Sequence, residues 1–178
     1  MTLLLAIATA ACVSPQTPGS PKLELVTVAS GLKHPWSMAF LPGGDMLVTE
    51  KDGGLVRMTR NGEKYQVSGL PLDLDNLRQD PRDNSGLFDV VLHPDFAISG
   101  RIYFSYSGKG PGGTATHLAT ARLVGDALED VSTIFAATPY TADRFHYGGA
   151  LLIGRDGLLY LAVGERHFNE RDNPSLPA

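Results

Sequence analysis

Three stretches of this chain share one form, and that form narrows the fold more than any other feature. Residues 38–50 read MAFLPGGDMLVTE, residues 90–106 read VVLHPDFAISGRIYFSY, and residues 151–165 read LLIGRDGLLYLAVGE. Each is an apolar run, a turn containing Pro, Gly or Asp, and a second apolar run. Such turn residues between β-prone runs predict a hairpin. The form returns after roughly 50 to 60 residues. Shorter strand candidates at 55–59, 64–67 and 117–123 fill the intervals, and no long amphipathic helical period follows the first dozen residues. Several short strands per period predict an all-β chain folded as a β-propeller. A sandwich would not reopen each period with a similar hairpin. About three periods fit, whereas propellers close with about four to eight blades. Residues 173–178 (NPSLPA) read as loop rather than as a closing strand. The expectation is roughly the first three blades of a longer chain.

The N-terminus has a different character. Residues 1–11 (MTLLLAIATAA) are apolar and end in small residues directly before Cys12. The run is too short to span a bilayer and has the form of a secretory leader. Two readings stay open. In one, the segment is an ordinary signal peptide and Cys12 is incidental. In the other, Ala10-Ala11-Cys12 is a bacterial lipoprotein processing site, and a lipid on Cys12 attaches the protein to a membrane. Thr9 three residues before the cysteine, and the lack of a positive charge ahead of the apolar run, depart from the lipoprotein pattern. The expected layout is a signal peptide at 1–12, a linker at 13–24 containing SPQTPGSP, and a partial propeller domain at 25–178. The expected location is periplasmic or otherwise exported.

Charge and cysteine content narrow the chemistry. Fifteen basic and 19 acidic side chains, with no basic run, argue against a nucleic-acid partner. A single cysteine excludes an internal disulfide and a thiolate metal cage. His117 and His167 show no metal-ligand spacing. Asp80, Asp83 and Asp89 do not form a D-x-D-x-D-G calcium loop, so no metal ligand is assigned. GKGPGG at 108–113 lacks the GK[ST] ending of a phosphate loop and reads as a turn. His34 and His93 each precede proline, which pushes them to extended geometry and suits them to shaping turns. Trp36 opens a strand, where core packing is the default.

The most reactive combination is the third hairpin, bracketed by His146 and Glu165. A histidine that acts as a base needs a partner to fix its tautomer, and a hairpin brings its two ends together. Gly148 and Gly149 beside His146 let backbone or ligand approach closely. Arg166 and Arg171 suit planar carboxylates but read more simply as solvated charges.

Three segments, in order, carry a resemblance: GLKHPWSMAFLPGGDMLVTEKDGGLVRM, SGLFDVVLHPDF and HYGGALLIGRDGLLYLAVGER. They resemble the N-terminal half of the soluble glucose/sorbosone dehydrogenases, also called aldose sugar dehydrogenases, over about residues 25–178. The resemblance implies a six-bladed β-propeller, export to the periplasm, pyrroloquinoline quinone (PQQ) and calcium as cofactors, and a small-molecule sugar oxidised at its anomeric carbon. It makes His146 the base that takes the sugar C1 hydroxyl proton while hydride passes to the quinone. It makes Glu165 the carboxylate orienting that base, where the family usually has aspartate. Asn84 falls where the family often has a sugar-binding glutamine in G-Q-x-G-L-L. This chain reads Asp83-Asn84-Ser85-Gly86-Leu87-Phe88, keeping the amide on a shorter arm. Phe145 replaces an acidic residue that precedes the histidine in some sugar oxidisers. The groups that grip the quinone and calcium belong mostly to later blades, and the resemblance assigns none of them here. It leaves the particular sugar and the electron acceptor open. The rival reading is a non-catalytic propeller that binds a ligand, since one fold hosts many functions.

Overall fold

The computed structural model describes residues 23–75 and 83–166. Cys12, the leader and nearly all of the linker lie outside the described residues. Strands β1 (Pro35–Phe40), β2 (Met46–Glu50), β3 (Gly54–Met58) and β4 (Lys64–Gln66) form one antiparallel sheet in chain order. Strands β5 (Leu87–Leu92), β6 (Arg101–Gly110), β7 (Gly113–Val124) and β8 (Ala127–Ala136) form a second. Strands β9 (Gly148–Ile153) and β10 (Leu159–Val163) form a two-stranded hairpin. A single helical turn, α1 (Phe96–Ser99), lies between β5 and β6 and ends on Gly100 at φ 63°.

The three repeated stretches are β1–β2, β5–β6 and β9–β10, the opening hairpin of each sheet. Their first strands adjoin: β1 packs on β5, and β5 on β9. This is the blade-on-blade stacking of a β-propeller, with first strands innermost. Asp89 on β5 joins the three. Its Oδ1 accepts from the Ser37 hydroxyl of β1, and its Oδ2 accepts from the Leu151 amide of β9 at 2.7 Å.

The core lies between the first two sheets. Leu47, Leu55, Leu87, Val90, Ile102 and Phe104 are all essentially inaccessible there. Each such side chain stabilises the fold by about 1.5–3 kcal/mol relative to exposure. All five residues of β2 are buried, because neighbours cover both faces. The flanking faces differ. Trp36, Met38 and Phe40 on β1, and Leu152, Tyr160 and Val163 on β9–β10, remain exposed.

Two expectations need correction. Trp36 is not a core residue: it is 49% exposed, with one side stacked 5.7 Å from Phe88. Strand β8 has no counterpart in the sequence reading. Its strand partner in the sheet is β7, with a single bridge from Ala127 to Ser68, and its segment ALEDVSTIFA lacks an apolar alternation because most of it faces solvent. GKGPGG holds the expected turn only at Pro111-Gly112, since Gly108 to Gly110 extend β6 and Gly113 opens β7.

Candidate functional site

The chain enters β9 through residues 144–147 and leaves β10 through 164–166, so the hairpin brings those ends together. Gly164 donates its amide to the Tyr147 carbonyl at 2.9 Å, and Arg166 donates to the His146 carbonyl at 3.2 Å. The two backbones pass so closely that a Cβ on Gly164 would sit 1.9 Å from the His146 carbonyl oxygen. His146 takes a left-handed backbone, φ 52°, uncommon for a residue with a side chain.

The result is the pairing expected from sequence. His146 Nδ1 lies 2.5 Å from Glu165 Oε1, with the two side chains 51% and 36% exposed. A carboxylate can only accept, so Nδ1–H donates, which selects the tautomer of the neutral ring with its lone pair on Nε2. The extra methylene of glutamate over aspartate does not prevent the contact. Phe145 stands beside the imidazole, ring centres 6.5 Å apart.

Asn84 belongs to the loop entering β5, which lies against the loop entering β9. Its amide donates to the Arg144 carbonyl at 2.9 Å, two residues before His146. Its Oδ1 accepts from Lys51 Nζ at 2.8 Å, so the carboxamide has its Nδ2 donors left to offer a ligand. Trp36, Phe88 and Tyr147 form an aromatic row across the three sheets, with ring centres 5.7 and 5.4 Å apart. Gly149 makes room for it: a Cβ there would meet Phe88 Cδ2 at 2.7 Å.

Arg144 holds these loops together, and no sequence pattern pointed to it. Its Nε donates to Asp83 Oδ2 at 2.5 Å, its Nη2 donates to Ser85 Oγ at 2.9 Å, and its Nη1 lies 2.5 Å from Asp75 Oδ2. The Asp75 contact is one of charge on charge, without the alignment of a hydrogen bond. Both carboxylates are 1% exposed. Burial pulls the Arg144 pKa down, but Asp83 and Asp75 outweigh it and hold the pKa above its ordinary value. Asp83, considered in sequence only as a calcium candidate, is thus an ion-pair partner. Its Oδ1 also accepts from the Ser85 amide at 2.8 Å and the Ser85 hydroxyl at 2.7 Å, shaping the turn around Asn84.

Arg166 is not a solvated charge either. It is 5% exposed, and its guanidinium carbon sits 5.1 Å from the Tyr147 ring centre. Burial lowers its pKa, with Tyr147 and Tyr140 partly offsetting the effect. His117 is 4% exposed, 2.8 Å from the Tyr140 hydroxyl and 3.3 Å from that of Tyr106.

Comparison with known proteins identifies the family. The family model for Glucose / Sorbosone dehydrogenase matches residues 32–175. The chain belongs to this family. It is 38% identical over 141 residues to the aldose sugar dehydrogenase YliI of Escherichia coli, covering 76% of this chain and 36% of that protein. A crystal structure of a glucose dehydrogenase superposes with a TM-score of 0.70 at 35% identity, covering 77% of this chain and 40% of the other. The PQQ-bound aldose sugar dehydrogenase of Streptomyces coelicolor superposes at 0.64 and 29% identity, covering 81% and 42%. The chain therefore spans well under half the length of these relatives, as the expected N-terminal portion of a propeller should. His146, Glu165 and Asn84 all lie within the matched residues.

Proposed function

We propose that this chain carries the base half of a sugar-oxidising site, in a protein that oxidises an aldose at its anomeric carbon. The observation carrying this reading is the His146 Nδ1–Glu165 Oε1 hydrogen bond of 2.5 Å at the mouth of the β9–β10 hairpin. Family membership supplies the reaction class, oxidation of a sugar.

In this reading His146 Nε2 takes the C1 hydroxyl proton. The C1–H bond breaks in the same step, its electron pair leaves as hydride, and C1 becomes a carbonyl carbon. Pyrroloquinoline quinone, when bound, supplies the two-electron acceptor. Glu165 holds the imidazole in its proton-accepting tautomer and stabilises the imidazolium that forms. Asn84 donates from Nδ2 to a sugar oxygen, with Lys51 fixing which way the amide points. Phe145 presents an apolar edge where some family members present an acid, so the substrate preference differs from theirs.

The described residues fit the proton-handling side of this chemistry. Arg144 and Arg166, which could have gripped quinone carboxylates, are engaged within the protein. Among the described residues no group of three His, Cys, Asp or Glu could hold a metal ion, so no residue here is assigned to calcium. No helix among the described residues is long and apolar enough to cross a membrane. Export, and attachment through a lipid on Cys12, remain proposals resting on the leader pattern.

The test is dye reduction by the full-length protein supplied with an aldose, the quinone and calcium. Turnover lost in His146→Ala with the fold retained supports the reading. Turnover unchanged removes His146 from the role and favours a binding module.

A further inference from the structure

Each member of the histidine–carboxylate pair is followed in sequence by a residue buried beneath it. Tyr147 follows His146 and is 2% exposed; Arg166 follows Glu165 and is 5% exposed. The two meet, guanidinium over ring, and both reach the start of β7 in the second sheet. The Tyr147 hydroxyl lies 2.5 Å from Thr114 Oγ1, and the Tyr147 carbonyl accepts from Thr116 Oγ1 at 2.7 Å. Arg166 Nη2 donates to the Thr114 carbonyl and, at 2.8 Å, to Thr141 Oγ1.

For a buried cation this is a poor environment. Arg166 forms no ion pair among the described residues, and its Nε and Nη1 are buried without a hydrogen-bond partner. Its backbone is left-handed, φ 63°, as is that of His146 at φ 52°. A charge left short of partners and two strained backbones work against stability. Such features persist where the surroundings impose them, and they concentrate at functional sites.

We infer that Arg166 is a positioning residue for the His146–Glu165 pair. Through Tyr147 and the β7 rim it locks both chain ends of the β9–β10 hairpin onto the neighbouring sheet, and so fixes the angle at which Nδ1 meets Oε1. The inference rests on the pair acting as the base. It differs from a packing role in one respect: the charge is retained for geometry, at a cost to stability.

Arg166→Met keeps most of the volume and removes the charge. The expected result has three parts. The melting temperature holds or rises, because an underpartnered buried cation is gone. The His146 Nδ1–H proton resonance, held downfield by the short hydrogen bond, broadens or disappears; this readout needs no cofactor. Aldose-dependent dye reduction loses about tenfold or more in kcat with KM little changed, since small misplacements of a reacting group are costly. Arg166→Lys, keeping the charge but not the fork, recovers part of kcat. An Arg166→Met protein that keeps both the resonance and kcat overturns the inference. So does one that unfolds or melts markedly lower, which would make Arg166 a packing residue. His146→Ala in the same assay separates the two levels. If it turns over normally, the base assignment itself fails; if it is inactive while Arg166→Met is normal, only the positioning role fails.

Discussion

The first and third sheets each carry a histidine–carboxylate pair in nearly the same place. His34 enters β1 and meets Asp52, which leaves β2, at 3.1 Å. His146 enters β9 and meets Glu165, which leaves β10, at 2.5 Å. Both use Nδ1, and both histidines are left-handed, at φ 49° and 52°, so His34 departs from the extended geometry expected before Pro35. Both imidazoles are at least half exposed. What differs lies beneath them. The residues after His34 and Asp52 are Pro35 and Gly53, which have no polar side chain to extend to another sheet. The residues after His146 and Glu165 are Tyr147 and Arg166, which bind the second sheet, while Arg144 ties the same loop to two buried carboxylates. An exposed histidine–carboxylate contact is weak by itself, about 0–1 kcal/mol. Buried anchoring is what turns such a contact into a fixed geometry.

The largest effect expected from this contrast is at Arg144. Arg144→Leu removes the guanidinium shared by two buried carboxylates, Asp75 and Asp83, and should cost about 3–5 kcal/mol in urea unfolding. Arg57 on the first sheet also spans two carboxylates, Asp45 and Asp126, but these are 33% and 35% exposed. Arg57→Leu should cost only about 1 kcal/mol. Equal losses would break the comparison.

Next come the carboxylates of the pairs themselves. Glu165→Gln can no longer hold the imidazole by charge, and turnover should fall about a hundredfold with the fold intact. Asp52→Asn should leave turnover within about twofold. A similar fall in both would mean that the first pair also serves the reaction.

A smaller effect concerns the crossing backbones. Gly164 and Lys51 are matched: each donates its amide to the residue entering its sheet's first strand, Tyr147 and His34 respectively. The first sheet tolerates a long side chain there, whereas the third has no space for a Cβ. Gly164→Ala should cost about 1–3 kcal/mol and displace His146. Lys51→Ala should change stability by about 0.5 kcal/mol or less while disturbing Asn84. Thermal melts of the two variants sharpen the contrast.

The smallest effect is on pH dependence and belongs to the buried histidine of the middle sheet. Burial holds the His117 pKa below its ordinary value, with Asp73 partly opposing. Below that ordinary value the unfolded chain binds more protons at this position than the folded one does. The stability from a neutral His117 is therefore complete above the ordinary histidine range and is lost as pH falls through it toward the depressed folded value. His117→Gln should flatten the stability–pH curve there. No change in the curve would contradict the assigned environment.

The sequence revealed most of the framework and about half of the candidate site. The opening hairpins were legible because their turns are closed by local bonds, such as Leu41 to Asp45 and Gly154 to Leu158. Strand β8 was not, since a sheet's outer strand buries too little to leave an alternating pattern. The His146–Glu165 meeting followed from hairpin geometry, although the proton-accepting role came from resemblance. Arg144 was invisible because its partner Asp83 is 61 residues away and reaches it only through sheet packing. Arg166 was misread because a charged residue after a strand is normally solvated, and nothing local records the ring and carbonyls waiting beneath it.

The most direct test sets the two pairs side by side in one assay. Aldose-dependent dye reduction is measured for His146→Ala and His34→Ala, both confirmed folded by circular dichroism. The expected result is a loss of about a hundredfold or more in His146→Ala and near-normal turnover in His34→Ala. Normal turnover in His146→Ala, or an equal loss in both, would contradict the claim that the anchored pair alone is the catalytic base.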